Sequence, residues 1–180
     1  MSSKSYAKAF FLAAFAIASA HAEKPPIADA RQLLAYIDRK GADPTYRELV
    51  AGDASRWDRV LDRVETGAPL WLEVAKKLAP VTDASATIGM QVSLAIGLTH
   101  NPEGVLPLLG TPGELPLGID IVCGIPFIES TEQHDRKHLR RARAALLRVT
   151  SPAVQATKAE CLSIINKEIS MIVPQSARKY

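Results

Sequence analysis

Apolar residues recur at helical spacing along almost the whole chain, and this pattern constrains the fold more than any other feature. Trp57, Val60, Leu61 and Val64, for example, occupy positions i, i+3, i+4 and i+7, which form one face of an α-helix. A brief extended piece is expected only at Ile119–Val122, and one strand does not make a sheet. The sequence therefore predicts an all-α protein.

Glycine, proline and capping residues divide this pattern into separate helices. Asp43-Pro44, Asp83 and Asn101-Pro102 are typical of helix N-termini, where a short polar side chain accepts backbone N–H groups and proline fits the first turn. In the helix that follows Asp83, we expect the inward residues to be Ile88, Val92, Ala95 and Ile96. The predicted helices are 28–40, 43–52, 53–66, 69–79, 83–99, 102–109, 130–149 and 152–171.

Short connections favour antiparallel helical hairpins. Three hairpins are predicted: 53–66 with 69–79, 83–99 with 102–109, and 130–149 with 152–171. The triplet Asp53-Ala54-Ser55 recurs thirty residues later as Asp83-Ala84-Ser85. Stacked hairpins suggest an armadillo- or HEAT-like α-solenoid, and a compact irregular bundle is the alternative.

Residues 110–127 interrupt the helical pattern with four glycines and three prolines. That density predicts an irregular crossover. Its apolar residues are numerous for a solvated loop, so it is either a packed connection or an apolar lip presented to a partner. The candidate contact residues in the lip are Leu115, Leu117 and Ile119.

The first 22 residues have the three parts of a cleavable signal peptide. Lys4 and Lys8 supply positive charge, residues 9–18 are apolar, and Ala20-His21-Ala22 offers a small-x-small cleavage site. The apolar run is about half the roughly 20 residues that span a bilayer. We therefore expect cleavage after Ala22, no stable membrane anchor, and one helical domain over residues 23–180 in the periplasm or outside the cell.

The two cysteines, Cys123 and Cys161, lie 38 residues apart. In an exported chain a lone pair of cysteines most simply forms a structural disulfide. Redox or nucleophilic chemistry would need a CxxC spacing or a neighbouring base, and neither accompanies these cysteines.

Basic residues concentrate between Arg136 and Arg148, where six of 13 residues are cationic and none is acidic. This stripe is either a solvated helix face or a docking surface for an acidic protein, an anionic glycan or lipid headgroups. Nucleic acid is a poor partner, because cleavage of the leader leaves a net charge of only +1 and aromatic residues do not interleave with the cations. The candidate contacts are Arg136, Lys137, Arg140, Arg141 and Arg143.

No arrangement typical of catalysis or of a cofactor site is apparent in the sequence. His134 and His138 share a helix face, but the HExxH glutamate is missing and the surrounding cations oppose a divalent metal. Asp58 and Asp62 alternate with arginines, as on a solvated helix. We therefore expect no catalytic residues, no metal and no cofactor.

Several short segments carry a resemblance to known proteins: Trp71-Leu72-Glu73-Val74-Ala75, Asp83-Ala84, Leu94-Ala95, and Asn101-Pro102 with Val105-Leu106. Together with Leu78, they resemble uncharacterised exported bacterial proteins. The overall plan is similar to the helical, disulfide-bearing periplasmic immunity proteins that neutralise interbacterial amidase toxins. That resemblance implies a periplasmic protein-binding module that inhibits a secreted toxin. A non-catalytic structural or assembly adaptor of the cell envelope is the alternative.

Overall fold

The computed structural model describes residues 24–52 and 55–172, which form an all-α domain without strands, as predicted. The predicted signal peptide and the predicted helix start at Asp53 lie outside the described residues. The helices are α1 Ala30–Lys40, α2 Ala42–Val50, α3 Ser55–Glu65, α4 Pro69–Leu78, α5 Ala84–Leu98, α6 Pro102–Val105, α7 Ile119–Val122, α8 Glu132–Leu147 and α9 Gln155–Met171, with 3₁₀ turns at Ala79–Val81, Leu106–Leu108 and Pro152–Val154.

The first two helices meet at Gly41, where φ is +96°. Asp29 caps α1, since its side chain accepts from the backbone N–H groups of Arg31 and Gln32. The prediction that Asp43 caps the second helix was wrong. The backbone turns two residues earlier, at Gly41, so that Asp43 lies inside the first turn of α2 and its carboxylate pairs with Arg47.

Helix α5 lies at the centre of the domain and contacts α3, α6, α7 and α8. Asp83 caps it as predicted, accepting from the Ala86 N–H at 2.9 Å and from the Tyr46 hydroxyl at 2.8 Å. The predicted inward face was wrong apart from Ala95. Ile88 is 41% exposed, and Val92 and Ile96 are only half-buried. The largest fully buried side chains of α5 are Met90, Leu94 and Leu98.

Helices α3 and α5 approach closely at their C-terminal ends. Gly67, with φ of +67°, ends the turn after α3, and a Cβ placed there would lie 2.8 Å from the Asn101 Cβ and 3.1 Å from the Gly97 carbonyl oxygen. Asn101 closes this junction: its Nδ2 donates to the Gly67 carbonyl at 2.7 Å, and its Oδ1 accepts from the Gly104 N–H as the cap of α6. Thus α3 packs mainly against α5, in addition to its predicted neighbour α4.

The crossover between α6 and α8, residues 110–127, has an ordered backbone that packs against the rest of the domain. The extended piece predicted at Ile119–Val122 was wrong, because these residues form the single helical turn α7. The two ends of the preceding loop are joined by an isolated bridge between Gly110 and Gly118. The buried Gln91 of α5 donates from Nε2 to the Pro116 carbonyl at 2.7 Å and so attaches the loop to the core.

The predicted disulfide between Cys123 and Cys161 is present and joins the end of α7 to the middle of α9. Both cysteines are buried. Helices α8 and α9 pack together as the predicted C-terminal hairpin. Glu103 on α6 accepts from the backbone N–H groups of Thr150 and Ser151, both at 3.2 Å, and so holds the turn between α8 and α9.

Within the part of the chain that the structure describes, no helix combines the length and the apolar character needed to cross a membrane.

Candidate functional site

A concave surface runs between α8 and the C-terminal end of α5, and we call it the basic groove. It consists of two cavities of about 300 and 390 Å³ that are both lined by His100. The first cavity is lined by Ile96, Thr99, His100, Phe127, His134, Lys137, His138 and Arg141. The second is lined by His100, Asn101, Pro102, Glu103, Ala145, Arg148, Val149 and Thr150.

The spacing of residues along α8 explains why its side chains share this wall. His134, Lys137, His138 and Arg141 occupy positions i, i+3, i+4 and i+7, which lie on one face of an α-helix. Arg148, immediately after the helix, continues the same face. Thr131 caps α8 by accepting from the His134 N–H, and this cap fixes where the face begins.

Three cationic side chains on this wall have no partner among the described residues. The side chains of Lys137, Arg141 and Arg148 are exposed and make no hydrogen bond or ion pair with another residue of 24–52 or 55–172. Like charges at i and i+4 repel one another along a helix, so Lys137 and Arg141 do not stabilise α8. In the part of the chain that the structure describes, the first cavity is lined by Lys137 and Arg141 without an acidic residue, so the field there attracts anions, whereas Glu103 shares the second cavity with Arg148.

The rest of the predicted basic stripe lies on another face of α8. The Arg136 guanidinium donates from Nη2 to the Ile172 carbonyl at 3.0 Å, and Arg143 donates from Nε to the Asn166 Oδ1 at 2.8 Å. Both therefore join α8 to the C-terminal part of the chain. Arg140 lies between them at helical spacing and is exposed. The structure thus separates the stripe into a groove-lining set and a set that packs towards α9.

His138 forms the buried floor of the first cavity. It is 8% exposed, and burial is the main reason why its pKa falls to about 4. The charges of His134 and Arg141 lower that pKa further, and Asp135 opposes them. The rings of His134 and His138 both meet the Phe127 ring edge-on, at centroid distances of 4.8 and 4.7 Å. His138 is therefore a neutral packing residue at pH 7.

Three carboxylates near the groove are held by other groups. Asp135 accepts from the Ser130 hydroxyl and lies 3.5 Å from His134 Nδ1, and Glu103 holds the turn after α8. Glu65 interacts with His100 and hydrogen-bonds to Ser93, and burial together with Asp62 raises its pKa. A hydrogen bond does not remove the negative charge of a carboxylate, so Glu103 offsets Arg148 in the second cavity, and the positive field of the groove comes mainly from Lys137 and Arg141 in the first cavity.

The predicted apolar lip at Leu115, Leu117 and Ile119 is not a continuous surface. Leu115 is 70% exposed, whereas Leu117 is 8% and Ile119 is 1% exposed. The prediction was wrong for the last two, because the bridge at Gly110 and the turn of α7 draw them into the core. Leu115 instead borders an apolar depression of about 510 Å³ with Ile88, Pro116 and Ile121.

Within residues 24–52 and 55–172, no group of three or more histidine, cysteine, aspartate or glutamate side chains is arranged to hold a metal ion. His134 and His138 are instead brought together by the Phe127 ring.

Sequence reasoning missed the contributions of His100 and Phe127 to the groove. Both lie outside the basic stripe, and both reach the groove from elements that precede α8 in the chain. The sequence offered only a weak indication of either residue. His100 follows the last turn of a predicted helix, and Phe127 is an aromatic residue at the end of the crossover.

A scan against protein-family models gave no match, and searches of curated proteins and of solved structures gave no significant match.

Proposed function

We propose that this chain is a non-catalytic, periplasmic protein-binding module that docks an acidic protein partner through α8. The observation that carries the proposal is a set of three exposed cations, Lys137, Arg141 and Arg148, on one wall of a concave groove, whose side chains have no partner within the described part of the chain. A disulfide that joins α7 to α9 supports both an oxidising compartment and a rigid binding scaffold.

Inhibition of a secreted toxin is the specific form of binding that we propose. A pre-organised surface loses little conformational entropy on binding, which suits an inhibitor that must hold its target tightly. In this role the chain occludes its target and does not modify it chemically.

Cell fractionation and site-specific photo-crosslinking test the proposal. The full-length chain, produced in its native cells with a photo-reactive amino acid in place of Ala144, is expected in the periplasmic fraction with Glu23 as its first residue. Ala144 is exposed and lies between Arg141 and Arg148 on the same face of α8. The chain should form one discrete protein adduct. The same amino acid in place of Arg31 on α1 is the matched control and should give none. An uncleaved cytosolic chain, or no adduct at position 144, would contradict the proposal.

A deletion strain separates the inhibitor from an envelope adaptor. An inhibitor is needed only when the toxin is present, so the deletion strain should grow normally alone and die when competitor cells deliver the toxin. A growth or envelope defect without any competitor would favour the adaptor instead.

A further inference from the structure

The basic groove has a length, a shape and a set of hydrogen-bonding groups that together narrow the chemistry of its ligand. We infer that it binds a short extended acidic segment of the partner protein, whose carboxylates pair with Lys137, Arg141 and Arg148. This inference rests on the proposed function, and it specifies which part of the partner protein binds in the groove.

The concave shape of the groove argues against a membrane surface. Lys137 and Arg141 line a cavity of about 300 Å³, and Arg148 lines one of about 390 Å³. A flat layer of lipid headgroups cannot follow such a surface, whereas a single polymer chain can lie within it. These cations, which are unpaired within residues 24–52 and 55–172, therefore point to a linear anionic ligand.

The hydrogen-bonding groups favour a carboxylate-bearing peptide over a sugar chain. The side chains that line the groove are rich in donors, and a carboxylate needs only donors. Sugar hydroxyls both donate and accept, so they also require free acceptors. In the second cavity Asn101 Oδ1 accepts from Gly104, and Glu103 accepts from Thr150 and Ser151 through Oε1 only. Among the described residues no carboxylate or amide side chain lines the first cavity, where Lys137 and Arg141 present donors alone.

The length of the groove fixes the size of the peptide. From His134 to Arg148 the wall covers about 21 Å of helix, at roughly 1.5 Å per residue. An extended chain advances about 3.3 Å per residue, so about six residues fill the groove. Arg141 and Arg148 lie about 10 Å apart along the axis by the same helix rise, which corresponds to carboxylates about three residues apart in an extended chain.

Fluorescence anisotropy with the mature, disulfide-bonded chain tests the inference. The probe is a labelled glutamate peptide of about six residues, with the matching glutamine peptide as the charge control. We expect binding of the glutamate peptide alone, weakening with added salt because counter-ions screen exposed charges. The double variant Lys137→Gln/Arg141→Gln should bind about tenfold more weakly, because it removes two partly exposed ion pairs with the peptide.

A matched variant controls for net charge and for folding. Arg31→Gln/Lys76→Gln removes the same two charges from exposed positions on α1 and α4, outside the groove, and should bind like the unmodified chain. The thermal midpoint of each variant shows whether it is folded. If the groove variant and this control bind the glutamate peptide equally, or the chain does not bind the peptide, the inference is wrong.

Two further probes separate the rival ligands. Phosphatidylglycerol vesicles present a planar anionic surface, and alginate presents carboxylates on a sugar chain. Groove-dependent binding of either one in preference to the glutamate peptide would overturn the inference. A protein adduct at position 144 that is unaffected by Lys137→Gln/Arg141→Gln would also overturn it and leave the proposed function standing.

Discussion

His138 is a titratable ring in an apolar setting, and its protonation is linked to folding. Burial holds its pKa at about 4 in the folded chain, below the ordinary value of 6.5, so the unfolded chain takes up the proton first as the pH falls. The stability that comes from the neutral ring is complete above about pH 6.5 and is lost towards pH 4, with a total of up to about 3 kcal/mol.

Replacing this ring tests the linkage. His138→Phe keeps the aromatic contact with Phe127 but cannot be protonated. Between about pH 6.5 and pH 4, the free energy of unfolding, measured with urea, should fall less in this variant than in the unmodified chain. The lowered pKa values of Glu48 and Asp83 add acid sensitivity to both proteins and cancel in the comparison. His134→Gln, at the exposed ring, is the control. Equal pH slopes for His138→Phe and the unmodified chain would contradict the linkage.

Gln91 is a buried polar residue with one specific partner, the Pro116 carbonyl. Gln91→Leu removes the donor, and we expect it to lower the free energy of unfolding by about 1–2 kcal/mol. Amide hydrogen exchange should rise in the crossover, residues 110–118, and not in α9. The exposed Gln133→Leu is the control and should change neither measurement. Unchanged exchange in the crossover of Gln91→Leu would show that the hydrogen bond does not hold the loop.

At the scale of helices, the junction of α3 with α5 depends on the absence of a side chain at Gly67. Gly67→Ala adds a Cβ both at a positive φ and against the backbone of α5, where the Gly97 carbonyl oxygen lies at 3.1 Å. We expect a loss of about 3 kcal/mol in the free energy of unfolding, measured by chemical denaturation.

Gly52→Ala separates the two contributions to that loss. Gly52 has a similar φ of +75°, and a Cβ there would have no neighbour within 4 Å among the residues that the structure describes. Its substitution should therefore cost only the conformational strain, about 1 kcal/mol. If the two alanine variants were equally stable, close packing between α3 and α5 would not be the reason for glycine at position 67.

The helices themselves were largely predictable, and the faces that they bury were less so. The caps Asp83 and Asn101 mark helix starts through local hydrogen bonds, which depend on a few neighbouring residues only. Helix α5 is apolar around most of its circumference, so periodicity could not identify its inward face. Its burial by several neighbours, and not its own pattern, places Leu94 in the core and Ile88 at the surface.

At the scale of the whole molecule, the disulfide closes a loop of 38 residues that contains all of α8. Cys123→Ser/Cys161→Ser should lower the free energy of unfolding by up to about 4 kcal/mol, because the unfolded chain regains the entropy of the open loop. Urea denaturation of the variant, compared with the unmodified chain with and without reductant, measures this loss. An unchanged midpoint after complete reduction would show that the bond does not stabilise the domain.

The candidate site was only half visible in the sequence. The cations of α8 lie within a short stretch of sequence, so the local density of basic residues was enough to identify Lys137 and Arg141 as candidates. Their opposite wall comes from His100 and Asn101, beyond the end of α5, and depends on how α5 and α6 pack against α8. Composition also grouped Arg136 and Arg143 with them, although these two arginines bond towards the C-terminal part of the chain.

The sequence by itself determined the helical class, most helix boundaries and the pairing of Cys123 with Cys161, because these depend on local spacing or on the presence of only two cysteines. Only the tertiary structure decided which apolar residues of the crossover are buried and which cations line a groove. Burial and concavity arise from the packing of segments that are distant in the chain, and the local sequence pattern does not predict which distant segments pack together.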